Sequence, residues 1–211
     1  MKRLLLLLLI SSLCKYSDAQ FYKGEKLLGG NVQIANSFGS PLIYGPDNTF
    51  FEGDKTFWAT VTPHFVYFFR DNKAIGIQTG YQYYHSKSGT GDAQLNGFDI
   101  GAFFKQYKFF YKGLALAYSA GAYYAMNTEK GNGSKYKNSL ASFQVSPYIV
   151  YRFSDHFSME SSLGKAGIGR TVSKDELNNI TYKRTDYFIG MLTGVNLSAY
   201  YVFGRKKTDT Q

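Results

Sequence analysis

The chain has 211 residues and a net charge of +9; 44% of it is hydrophobic and 18% aromatic, against 18% charged residues, and the mean hydropathy is −0.27. So many large apolar groups must be buried or coated with lipid, which excludes a disordered chain. Beyond the first 13 residues no apolar stretch approaches the roughly 20 residues that a spanning helix needs, so a helical membrane bundle is excluded and an all-β, aromatic, Gly-rich chain remains.

Residues 1–19 read as a cleavable secretory signal peptide. Lys2 and Arg3 form its charged start, Leu4 to Leu13 its apolar stretch broken only by Ser11 and Ser12, and Ser17-Asp18-Ala19 sets small residues before a cut at Gln20. Cys14, the only cysteine, follows Leu13, where a lipoprotein attachment site wants a small residue. Residues 20–211 then form a mature chain without cysteine, and losing Lys2, Arg3, Lys15 and Asp18 takes the net charge from +9 to +7. For an exported chain this balance points to anionic lipid headgroups and phosphates, with no nucleic acid as partner.

Alternation with a period of two predicts eight strands: Lys26 to Ser37, Lys55 to Phe69, Ala74 to Lys87, Gly97 to Tyr107, Leu114 to Thr128, Ser139 to Phe153, Phe157 to Gly169 and Asp186 to Phe203. Each is long enough to cross a hydrocarbon layer when tilted. The connections Arg70 to Lys73, Lys108 to Gly113 and Ser154 to His156 are tight. Those over Phe38 to Asp54, Ser88 to Asn96, Glu129 to Asn138 and Arg170 to Thr185 are long and polar. Short and long alternate along the chain, which is the plan of an up-and-down barrel with tight turns at one rim and mobile loops at the other.

Strand parity distinguishes a membrane barrel from a soluble one. In the third strand Ile75, Ile77, Tyr81 and Tyr83 oppose Gly76, Gln78, Gly80 and Gln82. In the eighth, Ile189, Met191, Val195, Leu197, Tyr201 and Phe203 oppose Gly190, Gly194, Asn196 and Ser198. A face of Gly, Gln, Asn and Ser suits a narrow polar lumen, which leaves the apolar face to lipid. The doublets Tyr83-Tyr84 and Tyr123-Tyr124 toward the long-loop end, and Phe68-Phe69, Phe103-Phe104, Phe109-Phe110 and Tyr200-Tyr201 toward the other, read as two interfacial girdles.

The stretch Pro63-His64-Phe65-Val66-Tyr67-Phe68-Phe69-Arg70-Asp71-Asn72-Lys73-Ala74-Ile75-Gly76 resembles the strand-turn-strand pattern of small outer-membrane β-barrel proteins of the porin-like, OmpX/OmpA-like family. Ser146 to Glu160, followed by Leu163-Gly164, repeats its shape. The resemblance covers the mature chain. It implies an eight-stranded antiparallel up-and-down transmembrane β-barrel over residues 20–203 and a short basic periplasmic tail over 204–211. It also implies a terminal signal read by the outer-membrane insertion machinery, which Asn196, Ser198, Tyr201 and Phe203 match with Ser in place of Gly.

The candidate interior network joins Gln78, Gln82, Asp99, Lys105, Gln144, Arg152, Glu160 and Asn196, since a charge inside a narrow barrel persists only when paired. His64 falls on the same polar faces. His156, Ser158 and Glu160 alternate on one strand, and His85-Ser86 lies near the loop end, so both places are candidates for a Ser-His-acid site. The first sits at the wrong rim for lipid chemistry and the second has its side chains on opposite faces. No His or carboxylate spacing suggests a metal, and no cofactor or catalytic residue is assigned. Lys130, Lys135, Lys137, Lys174, Lys183 and Arg184 in the loops suit lipopolysaccharide phosphates, while Lys108, Lys112, Arg205, Lys206 and Lys207 belong to the other rim. The resulting expectation is a monomer in the outer membrane of a Gram-negative bacterium, with a structural or interaction role, a plugged polar lumen and four long loops outside. A lipid-modifying enzyme, a narrow gated channel and a soluble ligand carrier are the alternatives.

Overall fold

The computed structural model describes residues 20–38, 43–44, 50–51, 55–88, 91–131, 133–191 and 197–204. The expected signal peptide, the tail after Gly204 and Asn196 lie outside these residues. The strands are β1 (Lys26–Phe38), β2 (Ile43–Tyr44), β3 (Phe50–Phe51), β4 (Lys55–Arg70), β5 (Lys73–Ser88), β6 (Gly91–Tyr111), β7 (Leu114–Gly131), β8 (Ser134–Arg152), β9 (Phe157–Ser162), β10 (Gly164–Asp175), β11 (Ile180–Met191) and β12 (Leu197–Phe203). Every pairing is antiparallel. The sequence β1-β4-β5-β6-β7-β8-β9-β12 returns to β1, which closes a ring of eight strands, as a β-barrel requires. Beyond β9, β10 takes over the pairing with β8, and β11 pairs with β10; β2 and β3 form a separate two-residue hairpin.

Two of the tight connections are two residues long. Asp71-Asn72 joins β4 to β5 with Asn72 at φ 57°, and Lys112-Gly113 joins β6 to β7 with Gly113 at φ 76°. Asn and Gly are the residues that enter the left-handed region at least cost. The middle connection is therefore shorter than expected, because β6 runs on through Lys108–Tyr111.

Three of the four expected loops are also largely strand. β5 and β6 stay paired up to Ser88↔Gly91, β7 and β8 up to Gly131↔Ser134, and β10 and β11 up to Asp175↔Ile180. Where both faces of a hairpin meet water the apolar alternation disappears while the backbone ladder continues, so a reading based on alternation ends these strands too early.

Side chains alternate as expected along the ring. On β5, Ile75, Ile77 and Tyr81 are exposed while Ala74, Gly76 and Gly80 are buried. The interior, however, is not polar throughout. At the tight-turn end it is filled by an apolar cluster that includes Phe21, Leu27, Val66, Phe68, Tyr107 and Val202. In that half of β4 both faces are apolar, Val66 and Phe68 inward beside Tyr67 and Phe69, so parity alone does not expose the cluster. The aromatic doublets are corrected in the same way: Phe68, Phe103, Tyr200 and Tyr84 are the buried members of their pairs. Adjacent strand residues face opposite ways, so each doublet gives at most one ring to an outer girdle.

Two glycines make room for inward rings. A Cβ on Gly101 would stand 2.2 Å from the Tyr123 ring, and one on Gly76 would stand 2.5 Å from the Phe103 ring. Each ring is the direct cross-strand partner of its glycine, Tyr123 of Gly101 and Phe103 of Gly76, and leans over the space the missing side chain leaves.

Candidate functional site

Lys105 on β6 and Glu160 on β9 face each other across the interior. Lys105 Nζ lies 2.5 Å from Glu160 Oε2, with side-chain exposures of 3% and 1%. Tyr107 donates its hydroxyl to Glu160 Oε1 at 2.9 Å, and the Lys105 ammonium sits 4.1 Å from the centre of the Tyr148 ring. The buried cation thus meets both a carboxylate and an aromatic face, and the carboxylate has a donor at each oxygen. Nearby, His64 Nδ1 and the Tyr200 hydroxyl share a 2.6 Å hydrogen bond.

Below this layer, toward the tight turns, the chain before β1 folds into the mouth of the ring. Phe21 is fully buried, stacked on Phe68 at 4.6 Å and edge-on to Tyr107 at 4.9 Å. Its amide donates to Asn72 Oδ1 and its carbonyl accepts from Asn72 N. Lys23 N donates to Asp71 Oδ1, while Gly24 N and Glu25 O bond to the backbone of Phe68. The turn between β4 and β5 therefore holds the segment in place.

Glu25 presents its carboxylate to Arg152, with Nη2 to Oε1 at 3.1 Å and Nη1 to Oε2 at 3.2 Å, both side chains being buried. Arg152 also donates from Nε to Ser154 O, from Nη2 to Asp155 O and from Nη1 to Gln20 O. All five guanidinium N–H groups have an acceptor, which is how a buried arginine is tolerated. The ring of Phe21 lies 4.9 Å from the guanidinium carbon.

The expected network is thus divided into separate pairs. Lys105 and Glu160 meet, whereas Arg152 turns to Glu25. Toward the long-connection end, Asp99 accepts from Gln78 Nε2 at 3.4 Å, in space that Gly80 leaves open: a Cβ there would stand 1.9 Å from the carboxylate. Gln82 covers Gly97, and Gln144 Nε2 donates to Ser142 Oγ at 2.9 Å. Of the expected assembly signal, Ser198 is buried in the interior, while Tyr201 faces outward, stacked between His156 and Phe203.

Neither Ser-His-acid set is brought together. Ser158 and Glu160 point inward, but His156 lies exposed in the turn with Nδ1 3.3 Å from Val202 O, and Glu160 is engaged by Lys105. Ser86 is buried on the inner face of β5, and its neighbour His85 belongs to the other face. Among the described residues no group of three His, Cys, Asp or Glu side chains is placed to hold a metal.

Sequence reasoning missed Phe21 and Glu25, which fall between the expected signal peptide and the first strand. A usable signal was present: a large ring and an acid immediately before β1.

At the other end, Glu176 pairs with Lys135 and Lys137, and Asp175 caps its own turn through Leu177 N, Asn178 N and Asn178 Nδ2. The two ammonium groups hold the Glu176 carboxyl down at about 2, and the bonds from Asn178 lower that of Asp175.

No family model matches the chain, and no curated protein matches it. Among solved structures it is similar to a major outer membrane protein from Thermus thermophilus, with 8% identity, a TM-score of 0.42, and coverage of 85% of this chain and 99% of that one.

Proposed function

We propose that the protein is an outer-membrane β-barrel of a Gram-negative bacterium. It spans the bilayer as a monomeric up-and-down barrel of eight strands, presents its long hairpins outside, and has a structural or interaction role instead of a transport or catalytic one. The observation that carries this reading is the outer surface of the ring. Val32 on β1, Ile77 on β5, Ile100 on β6, Phe143 on β8 and Leu197 on β12 are each between 48% and 64% exposed. A continuous band of such residues on a water-soluble monomer is an aggregation liability, whereas lipid solvates it.

Further support comes from both rims. Phe57 and Tyr124 toward the hairpins, and Phe110, Phe157 and Tyr201 toward the tight turns, are exposed rings at the levels where interfacial aromatics belong. A tilted strand crosses in roughly 9–11 residues, so β6, with 21, stands well out of the membrane on the hairpin side. The lysines of those hairpins suit lipopolysaccharide phosphates, and the basic residues near the tight turns suit the periplasmic side. The terminal strand, with Tyr201 and Phe203, suits the insertion machinery. The interior favours a structural role because the ion pairs, the aromatic cluster and the Gln20–Glu25 segment fill it.

The test is fractionation followed by gel mobility. The mature protein should sediment with outer membranes, require detergent for extraction, and migrate differently before and after boiling. Recovery in a detergent-free soluble fraction overturns the proposal.

A further inference from the structure

Toward the hairpins the outer face gathers lysines on one flank. Cross-strand partners share a face, and Asn96, Thr128, Lys137 and Lys174 are successive partners from β6 to β10. One row nearer the hairpin tips Lys130 stands opposite Lys135, and one row nearer the tight turns Tyr81, Phe98 and Met126 are partners across β5, β6 and β7. Glu176 binds Lys135 and Lys137, which leaves Lys130 and Lys174 with no ion pair among the described residues. On the neighbouring flank, by contrast, Lys87 of β5 stands opposite Asp92 of β6.

The wall beneath these lysines is not flat. The exposed side chains of Tyr81, Phe98 and Met126 border a groove of about 200 Å³, with Asn96 and Thr128 at the end nearer Lys130 and Lys137. The Tyr81 hydroxyl donates to Asn96 Oδ1 at 3.0 Å and so fixes its ring along that groove. Repulsion between exposed lysines is modest and screened by salt. The informative feature is that the cations stand directly over an apolar groove on the lipid-facing wall, an arrangement complementary to an anionic head with an acyl chain below it.

We propose that this flank is the binding site for one outer-leaflet lipid that bears a phosphate monoester. Lys130, Lys137 and Lys174 take the phosphate, Asn96 and Thr128 the polar groups below it, and the groove of Tyr81, Phe98 and Met126 an acyl chain. Adjacent strands lie about 4.8 Å apart, so long side chains on β7, β8 and β10 converge on a single headgroup. A free anion would use the lysines alone, whereas the groove lies on their membrane side and favours a lipid. The inference rests on the outer-membrane reading above and adds to it the class and position of the lipid.

The experiment is native mass spectrometry of the mature chain folded in detergent, after unboiled and boiled samples have been compared on a gel. Dioleoyl phosphatidic acid should be retained about tenfold more tightly than dioleoyl phosphatidylcholine. Lys130→Gln/Lys174→Gln, which leaves both Glu176 pairs in place, should abolish that preference. Met126→Trp, which fills the groove, should weaken retention of phosphatidic acid, and Lys87→Gln on the other flank should change nothing. Equal retention of the two lipids, or a preference that survives the double substitution, overturns the site. Displacement of phosphatidic acid by an equal concentration of inorganic phosphate, or unchanged retention in Met126→Trp, overturns the lipid in favour of a free anion. A band that shifts on boiling without a lipid preference overturns this site alone, whereas a band that does not shift overturns the outer-membrane reading with it.

Discussion

Glu160 joins two other interior side chains, Lys105 and Tyr107. One oxygen holds the Lys105 ammonium at 2.5 Å and the other accepts from Tyr107 at 2.9 Å. Replacing Glu160 with Ala strands a cation in a site with 3% exposure, a change that costs about 3–5 kcal/mol when one partner of a buried pair is removed. Urea unfolding of the detergent-folded protein should show that loss for Glu160→Ala and most of it regained in Lys105→Met/Glu160→Leu, because the pair replaced by apolar groups leaves no orphan charge. Equal losses in the single and double variants would show that the pair is not the unit. Glu176 behaves differently because solvent reaches its side chain, which is 26% exposed. Its folded carboxyl titrates at about 2, below the ordinary 4.5, so the stabilisation is complete above about 4.5 and disappears as pH falls toward 2. Amide exchange near Lys135, Lys137 and Glu176 should accelerate over that window while the ring interior stays protected; acceleration on raising the pH from about 4.5 to about 6, corrected for intrinsic exchange, would contradict the assignment.

At the scale of elements, the join between β9 and β10 shows how far alternation can be followed. The expected strand Phe157 to Gly169 is in fact interrupted. On β8 the partners step three residues, from Tyr148 to Val145, while the other side steps four, from Ser162 to Ala166. The extra residue is a bulge with Gly164 at φ 151°, held by Ser162 Oγ to both Gly164 N and Gly164 O. It reverses parity: Ser158 and Glu160 are buried at even positions, Gly169 and Asp175 at odd ones. Regular pairs such as β5 with β6 were legible because one apolar face persists along them. The bulge was not, because a single inserted residue has no compositional mark beyond a Leu-Gly pair. The inward charges were legible by parity, but not their partners, since pairing depends on how far round the ring each strand lies. Gly164→Val should cost about 1–3 kcal/mol, the range for a side chain forced into a Gly-only conformation. It should lower the heat-modifiability midpoint, whereas Gly133→Val, in an open turn at φ 77° with nothing within 4 Å of its Cβ, bears backbone strain without a ring contact and should leave assembly intact. Equal assembly defects in both would remove the bulge from the explanation.

For the whole molecule, closure at the tight-turn end decides whether the barrel conducts. An ion entering from the hairpin side meets Asp99 and Gln78, then the layer of Lys105, Glu160 and Tyr148. Beyond it lies the cluster of Phe68, Tyr107, Tyr200 and Val202, finally capped by Phe21 and the Arg152–Glu25 pair. Eight strands leave an interior about wide enough for side chains to fill, and here they fill it in successive layers. Opening such a plug requires several layers to move together, so removing one should not suffice. In planar bilayers the purified protein should therefore show no steady porin-like current, and Phe21→Ala should remain silent, because the cluster beneath Phe21 and the Lys105–Glu160 pair still block the axis. The same variant should lose the stacking on Phe68 and the edge contact with Tyr107, at a cost of about 3–5 kcal/mol for a buried ring. The two measurements separate the roles of the N-terminal segment: a less stable but silent barrel identifies Phe21 as packing, whereas a current appearing on its removal makes the segment the gate and the interior beneath it a path.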